Sequence, residues 1–457
     1  MKPDRLKSRV SPARRAAFEI LRRVESTDAY AAVLLAEMPA SVAKAGLSSE
    51  DRGLAQELTF GVLRWRRMLD YFIERYTGRA VAKLDQPVLL ALRLALYQIR
   101  CLSRIPHAAA VNEAVNMVRS AGVASAAGMV NGALRNATRH LDDLPGHEVA
   151  DPLERAAIEA SHPTWILQRW RAPLGDVEAQ QLALANNQPP TLAFRVNTLG
   201  FETDEIIAQL RSDGARARPS EYVPGAYVVD GGAPAVARAA ERGLVYVQDA
   251  ASQLVALLLE PRSGQRILDL CAAPGSKATH LAALTGDQAW IIAGDVHPHR
   301  LATLQDACRR LGIASIDAVA LDAARELPIS RAASGFDRVL VDSPCSGTGT
   351  LRRNPEIKWR LTPGDIPRLA ELQLQLLTRA ASAVTPGGRL VYSTCSIEPE
   401  ENEDVIRLFL ARDRRFRVAL PDADPALITP DGFVRTWPHR HGMDGFFAAV
   451  LEQVSGS

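Results

Sequence analysis

The sequence lacks any run of about 18 apolar residues, the length at which a helix can cross a bilayer. Residues 1–5 also lack the apolar core of a secretory signal. We therefore expect a cytoplasmic protein that does not enter a membrane. What the sequence does have is 457 residues, of which 47% are apolar and 23% are charged. These values are typical of a globular protein with two or three domains.

Cysteines are few and scattered. The chain has five, and no two of them lie within four positions of each other. This spacing excludes a zinc knuckle and a C-x-x-C redox motif, so no metal is expected. An odd number in a cytoplasmic chain argues for free thiols and against a disulfide framework. The five are Cys101, Cys271, Cys308, Cys345 and Cys395.

Charge is nearly balanced overall, at +2, but it is unevenly distributed. Residues 1–145 hold 22 Lys and Arg against 14 Asp and Glu, whereas the remainder holds 32 against 38. A basic first third suggests a polyanionic partner for that part of the chain. A solvated basic surface without a partner would explain the charge equally well.

Residues 1–145 show helical periodicity almost throughout, which predicts a compact all-α bundle. Arginines fall near the predicted helix ends. Two roles are open for them: a platform for RNA phosphates, or an ordinary solvated face. They are Arg14, Arg15, Arg22, Arg23, Arg64, Arg66, Arg67, Arg135 and Arg139.

A small α+β module is predicted at residues 150–245, attached to the C-terminal part of the chain. Alternation predicts strands at 191–197, 222–229 and 244–247, and helical spacing predicts helices at 203–212 and 233–241. From residue 246 to 457, strands alternate with helices, which predicts an α/β domain with a mostly parallel sheet. Its six predicted strands are 266–270, 290–294, 316–321, 338–341, 389–393 and 446–451.

The segment Arg266–Lys277 reads R-I-L-D-L-C-A-A-P-G-S-K, a strand that ends in small residues and turns directly into a helix. Such a turn presents backbone N–H groups and a helix N-terminus to a ligand. Asp295, at the end of the next strand, stands where a doubly wound sheet places the carboxylate that holds a ribose. The segment is not a P-loop, because Ser276 precedes Lys277 and no glycine lies five residues earlier. An ordinary strand–turn–helix remains the alternative.

Four acidic residues lie at or just past predicted strand ends. The carboxyl ends of parallel strands meet at one edge of a sheet, so these carboxylates should form one rim. A ligand with a ribose, an adenine amine and an ammonium or sulfonium group would use them. They are Asp269, Asp295, Asp322 and Asp342.

Cys345 and Cys395 lie in the loops after the fourth and fifth of these strands. If the first, fourth and fifth strands are neighbours in the sheet, both thiols face one crevice. A buried structural role is then less favoured, because strand-end loops are exposed to ligand. Spacing alone leaves open which of the two thiols is the reactive one.

Three segments together resemble motifs of the RNA (cytosine-5)-methyltransferases that use S-adenosylmethionine. They are D-L-C-A-A-P-G-S-K (269–277), D-S-P-C-S-G-T-G-T-L-R-R-N-P-E-I-K-W (342–359) and S-T-C-S-I-E-P-E-E-N-E (393–403). The N-terminal third, including V-N-G-A-L-R-N (130–136), resembles the RNA-binding domain of NusB. The combination is similar to the RsmB (Sun, Fmu) type of bacterial 16S ribosomal RNA methyltransferase. Ser276 and Ala278 depart from the Gly and Thr that are usual in that family.

The resemblance implies three domains: a NusB-like RNA-binding domain at 1–145, a small RNA-binding or linking module at 150–245, and a Rossmann-like methyltransferase domain at 246–457. It implies S-adenosyl-L-methionine as cofactor and 16S ribosomal RNA as partner. We expect a monomer that needs no metal. Neither the modified cytosine nor the use of naked RNA or an assembling subunit follows from the sequence.

The resemblance also implies residue roles. Cys395 is the expected nucleophile, and Cys345 the thiol that helps product leave. Asp342 is expected to contact the methionine end of the cofactor or N3 of cytosine. The turn is expected to wrap the methionine portion, Asp295 the ribose and Asp322 the adenine amine, with Arg300 and Lys277 as orienting groups. The turn consists of Cys271, Ala272, Ala273, Pro274, Gly275, Ser276 and Lys277.

The chemistry accounts for these residues. Cytosine C5 becomes nucleophilic only after a thiolate adds at C6, so one cysteine must have thiolate character. The base must leave its stack to reach the pocket, which favours single-stranded or loop RNA. One alternative is the same reaction on a different RNA, either tRNA or another rRNA site. Two further alternatives are a DNA cytosine-5 methyltransferase, in which the Pro-Cys thiol attacks, and an RNA-binding assembly factor without catalysis. The second thiol and the NusB-like third favour the RNA enzyme.

Overall fold

The computed structural model describes residues 10–37, 47–325 and 335–454, which form two compact units. The helical unit comprises Met1–Pro189 and Leu351–Arg360, and the sheet unit comprises Pro190–Thr350 and Leu361–Ser457. These units group residues 152–185 with the first third of the chain and residues 190–245 with the last. The three-domain division expected from the sequence stays a prediction.

The helical unit confirms the predicted all-α bundle. Its first helix shows why these residues are helical: Ala17, Leu21 and Val24 lie on one face at helical spacing, and all three are buried. The small side chains of this face allow close packing against neighbouring helices. The longer helices are Pro12–Ser26, Ser49–Arg64, Arg66–Thr77, Gln86–Cys101, His107–Ser120, Ala127–Arg139 and Thr164–Ala185, and the shorter ones are Ala31–Ala36, Pro152–Glu159 and Ile357–Arg360.

Some of the arginines considered for an RNA platform are engaged inside the helical unit. Arg64 is buried and donates to the carbonyl oxygen of Arg352 at 2.8 Å. Arg67 forms an ion pair with Glu154, and Arg66 lies only partly exposed. A phosphate platform therefore has to rest on the arginines that remain exposed, which are Arg15, Arg22, Arg23, Arg135 and Arg139.

The segment Leu351–Arg360 belongs to the helical unit, although the residues before and after it in the chain belong to the sheet unit. The ammonium group of Lys358 is buried and donates to the carbonyl oxygens of Arg64 at 2.8 Å and Ser161 at 3.0 Å, and to Oδ1 of Asn187 at 2.9 Å. These acceptors match the three N–H donors of an ammonium group, which is what allows its burial. The segment is thus an integral part of the helical unit.

The sheet unit begins with a small antiparallel sheet in the order β2–β3–β1–β4. The three predicted strands and both helices, Thr203–Ser212 and Ala233–Glu241, are confirmed. Strand β2 was not predicted, because its sequence R-A-R-P holds no β-branched or aromatic residue and ends in proline. Arg195 of β1 donates to the hydroxyl of Thr279 at 3.0 Å, which links the small sheet to a helix of the main sheet. The strands are β1 Leu192–Val196, β2 Arg216–Pro219, β3 Ala226–Gly231 and β4 Val245–Val247.

The main sheet has the order β10–β12–β9–β8–β5–β6–β7, with β11 paired to β12. Strands β5 to β9 are mutually parallel, and β10, β11 and β12 pair antiparallel. The first, fourth and fifth predicted strands are therefore neighbours, which is the condition for both thiols to face one crevice. The strands are β5 Arg266–Asp269, β6 Trp290–Asp295, β7 Ile316–Ala320, β8 Phe336–Asp342, β9 Val384–Thr394, β10 Phe416–Val418, β11 Val434–Arg435 and β12 Phe447–Gln453.

Helices flank this sheet because its strands are apolar on both faces. Ile267 and Leu268, successive residues of β5 that point to opposite faces, are both fully buried. The α/β class predicted from the sequence is confirmed, and the carboxyl ends of β5, β6, β7, β8 and β9 all lie at one edge. The flanking helices are Ala250–Leu258, Ser276–Leu284, Pro298–Leu311, Asp365–Ala381 and Glu403–Arg412.

Candidate active site

A sharp turn joins β5 to the helix that begins at Ser276. Gly275 has a φ of 108°, and a Cβ added there would lie 2.9 Å from Cγ of Leu304. Only glycine fits both the conformation and the space. The amide of Ala272 donates to the carbonyl of Gly294 at 2.8 Å, which ties the turn to the end of β6. The first amide groups of the helix have no partner within the helix, so the turn can hold a carboxylate.

Asp295 lies at the end of β6, and only 4% of its surface is exposed. One carboxylate oxygen accepts from the amide of Ala273 at 3.3 Å, and the other accepts from the amide of His297 at 2.9 Å. The guanidinium of Arg300 lies 3.5 Å from Asp295 and donates to the Ala273 carbonyl at 2.7 Å. A carboxylate has about four acceptor positions, so both oxygens can still accept a hydroxyl group. The arrangement fits a ribose diol.

Asp322 lies just past β7 and is more exposed than the other rim carboxylates, with 41% of its side chain in solvent. It accepts from the amide of Ala324 at 3.1 Å and pairs with Arg325 at 3.1 Å. Its position at the outer edge of the rim suits a solvent-facing amine.

Asp342, at the end of β8, is held by two donors. The ammonium of Lys277 lies 2.7 Å from one oxygen, and the hydroxyl of Ser393 donates to the other at 2.8 Å. Lys277 also donates to Ser252 at 3.1 Å and lies 5.3 Å from the ring centre of Phe446. The sequence suggested Lys277 only as an orienting group; the structure pairs it directly with Asp342.

Asp269, the last residue of β5, is fully buried. Burial and the nearby charge of Asp342 raise the pKa of Asp269 to about 7. At neutral pH this carboxyl group therefore carries its proton part of the time. It lies beneath the rim rather than on its exposed edge.

The two candidate thiols are in contact. The sulfur of Cys345, in the loop after β8, lies 3.3 Å from the sulfur of Cys395, in the loop after β9. The hydrogen bond to Cys395, together with burial, raises the pKa of Cys345 well above the ordinary value for a thiol. Cys271 lies apart from this pair, and burial also raises its pKa. All five cysteines are free.

The loop that carries Cys395 is held by Asn402, a residue that was not predicted from the sequence. The hydroxyl of Thr394 donates to Oδ1 of Asn402 at 2.6 Å, and Nδ2 of Asn402 donates to the carbonyl of Ser396 at 2.9 Å. These bonds flank Cys395 on both sides. The polar run E-P-E-E-N at 398–402, which begins three residues after the thiol, was the available signal, since buried polar residues need hydrogen-bond partners.

Two further observations on the described part of the chain concern metal binding and membrane-spanning helices. No group of three or more His, Cys, Asp or Glu side chains there could hold a metal ion. Among the helices of that part, none is long and apolar enough to span a membrane.

A parallel sheet, a glycine turn after its first strand and carboxylates at successive strand ends define a nucleotide-binding α/β fold of the S-adenosylmethionine-dependent methyltransferase class. In a comparison with known protein families, residues 256–452 match the family described as 16S rRNA methyltransferase RsmB/F. The NusB family matches residues 11–139, and the RsmF/B-like ferredoxin-like domain matches residues 162–235.

Relatives cover nearly the whole chain. The probable ribosomal RNA small subunit methyltransferase B of Bacillus subtilis (strain 168) is 36% identical over 444 residues, covering 96% of this chain and 98% of the relative. The ribosomal RNA small subunit methyltransferase B of Escherichia coli O1:K1 / APEC is 36% identical and covers 80% of this chain and 83% of its own length. The chain belongs to the RsmB/F family of 16S rRNA methyltransferases, and its cofactor is S-adenosylmethionine.

Solved structures agree with this assignment. The crystal structure of PH0851 superposes with a TM-score of 0.80 at 30% identity, covering 97% of this chain and 99% of that one. A methyltransferase homologue from Pyrococcus horikoshii has a TM-score of 0.58 at 28% identity, covering 66% of this chain and all of the other. The expected fold, a NusB-like helical domain, a ferredoxin-like module and a Rossmann-like methyltransferase domain, is confirmed.

Proposed function

We propose that the protein methylates C5 of a cytosine in 16S ribosomal RNA through a covalent adduct between Cys395 and C6 of the base. The observation that carries the proposal is the contact between the sulfurs of Cys345 and Cys395, 3.3 Å apart at the ends of two adjacent parallel strands. Two thiols in one crevice match a reaction that must both form and break a carbon–sulfur bond.

The reaction needs the thiol because cytosine C5 is a weak nucleophile. The thiolate of Cys395 adds to C6, and the π electrons of the C5–C6 bond move to C5, which can then form a bond to carbon. When bound, S-adenosylmethionine supplies the electrophilic methyl group. Loss of the C5 proton then restores the C5–C6 double bond, and Cys395 departs as a thiolate.

The family resemblance gives attack to Cys395 and product release to Cys345. The hydrogen bond to Cys395, together with burial, raises the pKa of Cys345, which suits a thiol that holds a proton beside the leaving sulfur. Cys345 lies 3.3 Å from the sulfur of Cys395, close enough to deliver a proton to that sulfur as its bond to C6 breaks. Elimination is therefore the step that depends on Cys345.

Asp342 and Lys277 supply a second part of the site. Their ion pair, with a separation of 2.7 Å, lies at the end of β8, which also carries the loop of Cys345. A carboxylate held there can accept a hydrogen bond from cytosine N3 once N3 is protonated, or from the ammonium group of the cofactor. Lys277 fixes its orientation and limits its mobility.

The cofactor site is assigned to the turn and the rim. The turn Cys271–Lys277, with the helix that it begins, would hold the methionine portion, Asp295 the ribose and Asp322 the adenine amine. The fit rests on the buried, pre-oriented carboxylate of Asp295 and on the close backbone approach that Gly275 permits. Arg300 holds Asp295 and the turn together.

The substrate would be RNA with an accessible base. A cytosine reaches this partly exposed thiol pair only after it leaves its stack, which costs least in a loop or a single strand. The exposed arginines of the NusB-like domain would bind phosphates of the same RNA.

Tritium release tests the proposal directly. A 16S ribosomal RNA transcript carrying cytidine tritiated at C5 is incubated with the protein and S-adenosylmethionine. Methylation at C5 should release one tritium into water for each methyl group incorporated. Methyl incorporation without tritium release would place the methyl group elsewhere and overturn the proposal. Cofactor binding without any incorporation would favour an assembly factor.

A further inference from the structure

The carboxylate of Glu401 lies between the two loops that carry the thiols. Glu401 ends a short turn, Pro399–Glu401, that precedes the helix Glu403–Arg412, and its surface is fully buried. A buried carboxylate needs a hydrogen-bond donor at each of its acceptor positions, because an unsatisfied buried charge is costly. The identity of its donors is therefore informative.

Four donors surround this carboxylate. The amide of Ser346 donates to Oε1 at 2.8 Å, and the side-chain amide of Gln373 donates to the same oxygen at 2.9 Å. The hydroxyls of Ser346 and Ser396 both donate to Oε2. Four donors fill the roughly four acceptor positions of a carboxylate, so the charge of Glu401 is fully satisfied.

Two of these donors, Ser346 and Ser396, are the sequence neighbours of the two thiols. Ser346 directly follows Cys345, and Ser396 directly follows Cys395. One carboxylate thus holds the residue after each thiol, and the two serine hydroxyls lie 3.1 Å from each other. Strands β8 and β9 end before the cysteines, at Asp342 and Thr394, so loop contacts must set the remaining geometry. Asn402 holds only the loop of Cys395, whereas this junction joins the two loops and so bears on the distance between the thiols.

We propose that Glu401 is a positioning residue that sets the separation of the two thiols. The inference deepens the proposed function, on which its catalytic meaning rests. Glu401 does not touch the reacting atoms. It acts through Ser346 and Ser396, and it keeps Cys345 within reach of Cys395 while carbon–sulfur bonds form and break.

Gln373 extends the junction to a helix of the sheet unit. Its single side-chain amide nitrogen donates both to Glu401 and to the carbonyl of Pro344, each at 2.9 Å. Pro344 directly precedes Cys345, so the loop of that thiol is held on both sides. The helix Asp365–Ala381 therefore provides the fixed base against which Glu401 orients the loop.

Two substitutions at Glu401 distinguish a role of its hydrogen bonds in holding the loops from a role of its negative charge. Glu401→Ala removes all four acceptor positions and frees both loops. Glu401→Gln keeps the shape of the side chain, and the serine hydroxyls can rotate to accept from the new amide. If Glu401 acts by position, glutamine should largely preserve its role. Glu403→Ala is the matched control, because Glu403 lies two residues away and its carboxylate pairs with Arg435.

The first measurement follows the thiols without RNA. Diamide, which accepts two protons and two electrons, converts a pair of nearby thiols into a disulfide, and peptide mapping identifies the Cys345–Cys395 link. We expect rapid linkage in the wild type, the Glu401→Gln variant and the Glu403→Ala variant, and linkage slowed about tenfold or more in Glu401→Ala. Equal rates in Glu401→Ala and wild type, or no linkage in the wild type, would overturn the inference.

The second measurement follows catalysis. Displacing a catalytic group by about 1 Å can cost roughly a hundredfold in rate. We expect kcat to fall about a hundredfold in Glu401→Ala, with KM for RNA and affinity for S-adenosylmethionine unchanged within about twofold, and to recover within about tenfold in Glu401→Gln. A rise in KM with kcat preserved would contradict a positioning role.

A milder variant covers the case in which Glu401→Ala does not fold. Ser396→Ala removes one of the four donors and leaves the carboxylate in place, so the linkage rate should fall about threefold. An unchanged linkage rate in a folded Ser396→Ala protein would overturn the inference. The disulfide linkage rate is measured without RNA and tests only the positioning role of Glu401. Tritium release tests the methylation reaction, so the failure of one proposal can be told from the failure of the other.

Discussion

At the scale of single residues, the rim carboxylates differ in how firmly the protein already holds them. Asp295 is buried and bonded to the amides of Ala273 and His297, whereas 41% of the Asp322 side chain is exposed to solvent. A pre-oriented, desolvated carboxylate contributes more to binding than an exposed one, because less order is lost when the ligand arrives. Asp295 should therefore contribute more to cofactor binding than Asp322.

Replacement of Asp295 tests this ranking. In the proposed site, Asp295→Ala would remove two charge-assisted hydrogen bonds to the ribose, each worth about 1.5–3 kcal/mol, so affinity for S-adenosylmethionine should fall by about two to four orders of magnitude. Titration calorimetry measures it, and Asp306→Ala, at an exposed position on the helix Pro298–Leu311, is the control. Unchanged affinity in Asp295→Ala would remove the residue from the cofactor site.

Asp269 makes stability depend on pH. Burial and Asp342 raise its pKa in the folded protein to about 7, above the ordinary value of 3.8. Between these values the folded state binds one proton more than the unfolded state, so stability falls as pH rises from about 4 to about 7. The loss attributable to Asp269 is about 4 kcal/mol over that range.

Denaturant unfolding at a series of pH values provides the measurement. Asp269→Asn should flatten the decline between pH 4 and pH 7 relative to wild type, because the titrating group is gone. Parallel pH profiles for the two proteins would contradict the shifted pKa.

At the scale of elements, local signals were enough for most of the fold. The apolar run 266–270 and the small residues after it predicted β5 and its turn, since both depend on neighbouring residues alone. The helix that begins at Thr164 contains two residues that ordinarily break a helix, Pro173 and Gly175. The structure continues it to Ala185 through a kink at Gly175, where φ is 77°.

The short strands were beyond prediction for a different reason. Strands β10 and β11, at Phe416–Val418 and Val434–Arg435, are formed by pairing with β12 and not by a pattern of their own. The existence of these two strands depends on tertiary contacts that the sequence does not display.

The buried Lys358 leads to a prediction for the helical unit. Burial and the charge of Arg64 lower the pKa of Lys358 well below its ordinary value, and its three hydrogen bonds hold it in place. Lys358→Met keeps most of the volume and leaves three buried oxygens without their donor. Each unsatisfied buried group costs about 1–3 kcal/mol, so we expect a loss of at least about 3 kcal/mol.

Chemical denaturation monitored by tryptophan fluorescence measures this loss. Arg368→Met, at an exposed position on the helix Asp365–Ala381, is the control and should change stability by less than about 0.5 kcal/mol. A Lys358→Met protein as stable as the wild type would mean that the segment Leu351–Arg360 contributes little to the helical unit.

At the scale of the whole molecule, the basic N-terminal third has a testable consequence. Arg15, Arg22 and Arg23 remain exposed on the first helix. If they bind phosphates, replacing all three by alanine should weaken RNA binding and make its salt dependence shallower by about 0.7–0.9 in log–log slope for each phosphate no longer neutralised. Filter binding at several salt concentrations measures both. An unchanged slope would assign the basic surface to another partner.

The site was only partly predictable because its parts come from distant places in the chain. The rim carboxylates and thiols were found because each follows a recognisable strand, and strand order brought them together. The pairing of Lys277 with Asp342 spans 65 residues, and the junction between Glu401 and Ser346 spans 55. Such contacts depend on how loops pack, which no local pattern encodes.

The proposed mechanism gives the two thiols different tasks in one reaction. Cys395→Ala removes the nucleophile, so no covalent RNA adduct forms and turnover stops. Cys345→Ala leaves attack and methyl transfer possible but hinders elimination, so the protein should remain bound to methylated RNA. Cys308→Ala, at a thiol outside the pair, should retain turnover and is the control.

Denaturing gel electrophoresis after incubation with RNA and S-adenosylmethionine distinguishes these tasks. We expect a slower-migrating, denaturant-resistant band for Cys345→Ala and none for Cys395→Ala. A band for Cys395→Ala and none for Cys345→Ala would reverse the roles and make the Pro-Cys thiol the nucleophile. No band for either variant, with turnover retained in both, would contradict the covalent mechanism altogether.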